Sequence, residues 1–143
     1  LFPASYVPQE SERILLYQEL DNMERQEDVD AFCKRLEDRF GAIPDQAREL
    51  ILVVTLRRLA RRLGIENIVL KQRHMTLFFG ASRNAAYYQS PAFGRILTYR
   101  QQNVRIANLN EHNNRRSMRI DGIKTVREAT DVVRHILDLP VCD

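Results

Sequence analysis

The sequence is poor in the residues from which several kinds of functional site are built. Its two cysteines, Cys33 and Cys142, lie far apart without Cys-x-x-Cys spacing, which excludes a disulfide scaffold or a cysteine-built zinc site and favours a reducing compartment. The five glycines are scattered, so a phosphate-binding loop is excluded. No run approaches the roughly 20 apolar residues of a membrane span. Leu1 to Ser5 lack the pattern of a signal peptide and an initiating methionine, so we expect a fragment of a longer cytoplasmic protein.

Chemically reactive side chains are present, but their spacing predicts no catalytic site, cofactor or metal in this chain. His74, His112 and His135 are isolated from one another, whereas histidine ligands usually come at short regular spacings. Glu37 and Asp38 are adjacent on a predicted helix and point about 100° apart, so they do not converge on a substrate. Cys33 falls on the apolar face of the same helix and is expected to be a core residue.

Charge is unevenly distributed along the chain. Residues 1–49 hold 12 acidic and 6 basic side chains, whereas residues 50–143 hold 7 acidic and 16 basic ones. Arginine supplies 19 of the 22 basic residues, and it is the residue preferred for bidentate pairing with carboxylate or phosphate. An acidic front and a basic rear indicate surfaces that meet charged partners, or that meet each other.

The hydrophobic pattern predicts a single α+β domain over residues 1–143. A helical front of three helices occupies residues 1–64, and a ββαββα unit with a small, mainly antiparallel sheet occupies residues 65–143. The expected helices cover about 9–23, 28–40 and 44–63, one opening at Ser90-Pro91 and one opening at Thr125 with capping-box spacing to Glu128. The expected strands are an edge strand in residues 1–8 and strands over 65–70, 75–79, 104–109 and 117–120. Tyr87-Tyr88 is expected in a loop that packs against the sheet.

Two arginine clusters are candidate binding surfaces. The first lies within an arc of about 140° on the third helix, opposite its apolar face. It could neutralise phosphates, grip an acidic partner, or pair with the acidic front of the same domain, where Glu24, Glu27, Asp28 and Asp30 lie. The members of this first cluster are Arg57, Arg58, Arg61 and Arg62. The second cluster is Arg115, Arg116 and Arg119, which could bind nucleic acid, although no aromatic residue alternates with these arginines in the sequence.

The run from Leu36 to Pro44, Leu-Glu-Asp-Arg-Phe-Gly-Ala-Ile-Pro, resembles the helix-end motif of the C-terminal domain of the bacterial transcription-repair coupling factors. In this motif Gly41 ends one helix, Ile43 packs, Pro44 begins the next helix, and Asp38 and Arg39 are expected to lock the corner through backbone hydrogen bonds. The resemblance covers about residues 1–70, with Gln9 and Arg35 as departures. It also rests on Pro3, Tyr6-Val7-Pro8, Arg13, Leu16-Tyr17 and the segment from Leu56 to Ile65.

The resemblance implies a regulatory domain within an ATP-driven translocase on double-stranded DNA. Such a protein releases RNA polymerase stalled at a lesion and recruits nucleotide excision repair through UvrA, with ATP and Mg²⁺ bound by motor domains outside this chain. The domain is expected to fold onto the N-terminal repair-recruiting region, to mask the surface that UvrA needs and to restrain the motor. Our hypothesis places docking at Arg57, Arg58, Arg61 and Arg62 with Glu27 and Asp28. The alternative is an accessory nucleic-acid-binding domain that uses Arg115, Arg116 and Arg119.

Overall fold

The structure, a computed structural model, describes residues 1–80 and 85–140, and these fall into two compact units that are divided between Arg58 and Leu59. The first unit contains α1 (Glu10–Asp21), α2 (Gln26–Phe40) and most of α3 (Asp45–Arg61). The second unit contains β1 (Ile65–Lys71), β2 (His74–Phe79), α4 (Ala85–Tyr88), α5 (Pro91–Gln102), β3 (Ala107–His112), β4 (Arg115–Asp121) and α6 (Val126–Ile136). The order of helices and strands confirms the α+β class. None of the described helices is both long and apolar enough to cross a membrane.

The core of the first unit forms where α2 and α3 present apolar side chains at helical spacing. Val29, Phe32 and Leu36 are buried on α2, and the rings of Phe2 and Phe32 lie 6.1 Å apart between centroids. The α1 helix contributes one fully buried residue, Leu20, whereas its Leu15 is 65% exposed.

The edge strand predicted for residues 1–8 is wrong. The backbone N–H groups of Tyr6 and Val7 both donate to the carbonyl of Pro3, so this segment forms a turn. The Arg13 guanidinium then donates to the carbonyls of Val7 at 2.8 Å and Pro8 at 2.9 Å. These local and side-chain partners satisfy the backbone, so the segment needs no neighbouring strand.

The corner between α2 and α3 follows the expected path but is locked by other residues. Gly41 has φ of +89°, a value that favours glycine, and its N–H donates to Glu37 O. Tyr6 Oη donates to Gly41 O at 2.8 Å, and Arg48 Nε donates to Ile43 O at 3.2 Å. Arg39, which was expected to bond this corner, instead forms an ion pair with Glu12 on α1.

The sheet of the second unit has the strand order β1-β2-β4-β3, with every neighbouring pair antiparallel. Both hairpins turn through two residues with positive φ, Gln72-Arg73 and Asn113-Asn114, as tight hairpins with right-twisted strands require. Alternate residues of β2 and β4 are buried and make up one packed face of the sheet. They are Met75, Leu77 and Phe79 on β2 and Met118 and Ile120 on β4.

The segment before β3 differs from its prediction as a strand. The N–H groups of Ile106 and Ala107 both donate to Asn103 O, so residues 103–106 form a turn and β3 begins at Ala107. The caps predicted for the two long helices of this unit are confirmed. Ser90 Oγ accepts from Phe93 N–H at 3.2 Å, and Thr125 Oγ1 accepts from Glu128 N–H at 3.1 Å.

Tyr87-Tyr88 belongs to the short helix α4 rather than to a loop. The Tyr87 ring lies 6.1 Å from Phe79 of β2 and 5.5 Å from Phe93 of α5, measured between ring centroids. Tyr87 Oη donates to Leu63 O at 2.6 Å. This aromatic cluster therefore packs α4 and α5 against the sheet.

Candidate docking surfaces

Arg57 and Arg58 of the first arginine cluster contact side chains of the first unit. Arg57 Nη1 donates to Tyr17 Oη at 3.0 Å and lies 3.7 Å from a carboxylate oxygen of Asp21. Arg58 is half-buried, and its Nη2 donates to Gln26 Oε1 at 3.3 Å. The contact between Arg57 and Asp21 supports the interpretation in which part of the arginine cluster pairs with the acidic front.

Arg61 and Arg62 differ from this pair because both side chains are exposed. Each belongs to the second unit, in which α3 ends at Arg61. The structure therefore divides the arc predicted from the sequence by exposure: Arg58 is half-buried, whereas Arg61 and Arg62 are exposed.

The acidic candidates lie on the exposed N-terminal end of α2. The Glu27 and Asp28 side chains are 79% and 42% exposed, and both approach Arg25, at 3.7 Å and 3.4 Å respectively. Exposed ion pairs contribute only about 0–1 kcal/mol, so a partner can replace them at little cost. A crevice of about 480 Å³ adjoins this end of the helix and is lined by Glu19, Asn22, Met23, Glu24, Arg25, Asp28, Ala31 and Arg35.

The second arginine cluster is divided between the two faces of the sheet. Residues alternate along β4, so Arg115 and Arg119 lie on the face opposite the buried Met118 and Ile120, whereas Arg116 shares the face of those two residues. Arg119 Nε lies 3.2 Å from Asp121, whose carboxylate also lies 2.9 Å from His74 Nδ1.

Sequence reasoning missed the aromatic partners of these arginines. The Arg115 guanidinium lies 4.1 Å from the centroid of the Phe78 ring, and the Arg116 guanidinium lies 4.5 Å from that of Tyr88. Arg116 also pairs with Glu111 at 3.3 Å. The Phe78 ring comes from β2, so the strand register, in which Phe78 lies opposite Ser117, is the signal for this partner. The Tyr88 ring comes from α4 and depends on how that helix packs on the sheet.

The reactive residues considered in the sequence are distributed as single groups. Within residues 1–80 and 85–140, no three His, Cys, Asp or Glu side chains are placed to share a metal ion. Cys33 is a free thiol, half-buried against the first unit's core; burial, and secondarily the charge of Asp30, raise its pKa, which disfavours the thiolate. His135 packs edge-on against Tyr99. Cys142 lies outside the described residues.

These features define an α+β domain made of a helical unit with exposed ion pairs and a sheet unit with basic surfaces. The sequence model of the TRCF domain family matches residues 1–90, so the chain belongs to the TRCF domain family. The match includes the motif at Leu36 to Pro44 and confirms the resemblance to the transcription-repair coupling factors.

Several full-length relatives carry the name transcription-repair-coupling factor. The chain is 32% identical over 68 residues to the Buchnera aphidicola protein and 31% identical over 68 residues to the Escherichia coli K12 protein. Each of these alignments covers 48% of this chain. It is 33% identical over 66 residues, 46% of the chain, to that of Rickettsia prowazekii. The matches span only 8%, 6% and 6% of the lengths of these relatives.

A solved structure extends the similarity of fold beyond the segment matched in sequence. It is the crystal structure of the C-terminal domain of transcription-repair coupling factor, with a TM-score of 0.76 and 14% identity. The match covers 96% of this chain and 86% of that chain. The sheet unit, where similarity of sequence is weak, therefore belongs to the same fold.

Proposed function

We propose that the chain is the C-terminal regulatory domain of a transcription-repair coupling factor, a longer protein that couples stalled transcription to DNA repair. The observation that carries this proposal is the agreement between the family match over residues 1–90 and the fold of the solved C-terminal domain. In this proposal, motor domains elsewhere in the longer protein bind ATP and Mg²⁺, move along double-stranded DNA and release stalled RNA polymerase.

The regulatory action we propose is a reversible clamp. The domain docks on the N-terminal repair-recruiting region, covers the surface that UvrA needs and restrains the motor until polymerase is engaged. A contact that must be reversible should consist of charged, solvent-exposed groups, because a large apolar interface would not dissociate. Tethering raises the effective concentration of such a contact to about millimolar, so a weak contact between the separate parts is sufficient.

The docking residues we propose are Glu27 and Asp28 on α2 of the first unit and, as a separate contact, Arg61 and Arg62 of the second unit. The Glu27 carboxylate is the most exposed group of the ion pairs at this end of α2, and its pair with Arg25 is long at 3.7 Å. Arg57 and Arg58 contribute less in this proposal, since their contacts with Tyr17 and Gln26 must be kept for packing of the first unit.

The test is binding of this domain to a separately produced N-terminal region, with duplex DNA titrated in parallel at two salt concentrations. We expect a dissociation constant of about 10–1000 μM for the protein fragment, weakened several-fold by Glu27→Lys. Glu49→Lys is the matched control, because Glu49 is an exposed acid on α3 away from the N-terminal end of α2. An affinity equal in both variants and in the unmodified domain would refute the docking face.

The regulatory step is tested in the full-length protein. Arg62→Glu should raise both UvrA binding and the ATPase rate, because loosening the clamp exposes the masked surface and frees the motor. The exposed Arg127 on α6 supplies the control, Arg127→Glu, which should leave both unchanged. Unchanged values in a folded Arg62→Glu protein would argue against any clamping role for this end of α3.

A second candidate function is nucleic-acid binding by the sheet. The observation that favours it is the stacking of Arg115 on Phe78, which places a cation and an aromatic ring together on one sheet face. This function predicts DNA binding by the isolated domain that falls steeply as salt rises. Tight, salt-dependent DNA binding without any affinity for the N-terminal region would favour this function over the clamp.

A further inference from the structure

The two edges of the sheet differ in how well they are protected against pairing with another strand. The β1 edge is interrupted by an irregularity between Ile65 and Asn67 and carries Glu66 and Lys71. Bulges and charges of this kind protect edge strands from pairing. The β3 edge keeps regular register with β4 over all six residues, Ala107 to His112, and contains no proline or lysine. Among the described strands, β3 pairs with β4 alone, so its outer backbone groups can receive a further strand.

An apolar groove lies beside this unprotected edge. Its volume is about 380 Å³, and it is lined by Phe79, Tyr88, Phe93, Leu97, Leu109, Asn110, Glu111, Arg116 and Ser117. Leu97 on α5 and Leu109 on β3 are 42% and 39% exposed. Tyr88 Oη is buried there and has no hydrogen-bond partner among the described residues. The groove therefore offers an aliphatic side chain a place to be buried, and offers a polar group a partner.

The exposed apolar residues of the second unit are concentrated at this edge. Five large apolar side chains of its described residues are exposed, and four of them belong to α5, β3 or the turn that joins them. These four are Leu97, Val104, Ile106 and Leu109. Single exposed apolar residues are normal, whereas several of them near an open strand edge, two of which line one groove, are typical of a docking surface.

Charge selects the occupant of this edge. Residues 59–143 hold 14 basic and 7 acidic side chains, so a second copy of the same edge would be repelled. Arg100 lies one helical turn beyond Leu97, and Arg105 lies two residues before the start of β3. Neither these two nor Arg115, opposite His112 on β4, forms an ion pair with a described residue. The complement to these cations is an acidic chain.

We propose that the β3 edge and its groove bind an extended peptide segment of a partner protein in which aliphatic and acidic residues alternate. Along an added strand, every second side chain would face Leu109 and the groove, which suits an aliphatic residue. The intervening side chains would lie on the opposite face beside Asn108 and His112, and Arg115, the β4 partner of His112 in the strand register, suits a carboxylate there. This site lies on the sheet edge and is independent of the clamp residues on α2 and α3.

The probe is an acetylated, amidated eight-residue peptide of alternating valine and glutamate, titrated into the domain and followed by amide NMR. We expect a dissociation constant below about 1 mM, with the largest shifts at β3 and α5. A peptide of the same sequence with every second amide N-methylated should lose binding, because it cannot pair with the strand edge. Shifts that map elsewhere, no binding at millimolar peptide, or equal binding of the methylated peptide would overturn the proposal.

Two variants test the groove and the charge separately. Leu97→Lys should weaken binding about tenfold or more, whereas Leu15→Lys, an exposed leucine of α1, should not change it. Arg115→Glu should weaken binding of the valine–glutamate peptide about three- to fivefold and should strengthen binding of a valine–lysine peptide. Arg127→Glu is the control. Self-association of the domain through β3, or displacement of the peptide by a single-stranded oligonucleotide, would identify a different occupant and refute the proposal.

Discussion

The backbone at Gly64 lies against the ring of Tyr87, and we predict that Gly64→Ala strongly destabilises the second unit. Gly64 follows α3 with φ of +71°, and a Cβ built at this position would overlap with the Tyr87 ring. Tyr87 is not free to move away, because its Oη donates to Leu63 O and its ring packs between Phe79 and Phe93.

The magnitude follows from three terms. A left-handed backbone costs alanine about 1–2 kcal/mol. Displacing Tyr87 loses a hydrogen bond of 2.6 Å to Leu63 O, which contributes about 1 kcal/mol. Repacking the ring against Phe79 and Phe93 costs about 1–3 kcal/mol more. The free energy of unfolding should therefore fall by about 3–6 kcal/mol in Gly64→Ala.

The control is Gly122→Ala, which isolates the backbone term. Gly122 has φ of +84°, and no described atom lies within 4 Å of a Cβ at that position. The assay is urea unfolding with amide exchange read at β2 and β4, which reports on the second unit. Equal losses in Gly64→Ala and Gly122→Ala would refute the steric argument, as would a Gly64→Ala effect that persists undiminished in a Tyr87→Ala background.

Three further predictions concern single side chains. Burial, with a smaller contribution from neighbouring Tyr88, raises the pKa of Tyr87 to about 12. The stability that neutral Tyr87 contributes is therefore complete below pH 10 and is lost as pH rises through 12, so the urea midpoint should fall more steeply over that range than in Tyr87→Phe. Ser90→Ala removes the acceptor for Phe93 N–H and should cost about 1 kcal/mol in urea unfolding, whereas the exposed neighbour Gln89→Ala should cost almost nothing. Tyr6→Phe removes the donor to Gly41 O and should lower stability by about 1 kcal/mol, seen as faster amide exchange in α2; unchanged exchange would mean that this bond does not hold the corner.

Much of the fold was predictable, because the helices and strands with a strong hydrophobic pattern in the sequence also form in the structure. The α2 helix buries Val29, Phe32 and Leu36 at helical spacing and ends at Gly41, as its sequence predicts. The errors lie where tertiary partners replace a local preference. The segment before α1 has the alternating pattern of a strand, but the Arg13 guanidinium donates hydrogen bonds to its carbonyls. The segment before β3 has apolar residues like a strand, but it forms a turn in which the carbonyl of Asn103 accepts hydrogen bonds.

The candidate surfaces were predicted less completely than the fold. The positions of Arg57 and Arg58 on one arc of α3 follow from helical geometry, but their partners Tyr17 and Gln26 lie 40 and 32 residues away in sequence. Such partners depend on how helices pack, which no local pattern contains. The groove beside β3 was missed altogether, because it depends on which strand lies at the edge of the sheet.

The amino-acid sequence was sufficient for the helices and hairpins, the uneven charge and the family, because each of these depends on short-range spacing or on a contiguous motif. The three-dimensional packing was needed to show which charges are paired, that Arg115 stacks on Phe78, and that β3 rather than β4 lies at the edge. The physical reason is that backbone preference acts within a few residues, whereas strand order and side-chain partners arise when distant segments bury apolar surface together.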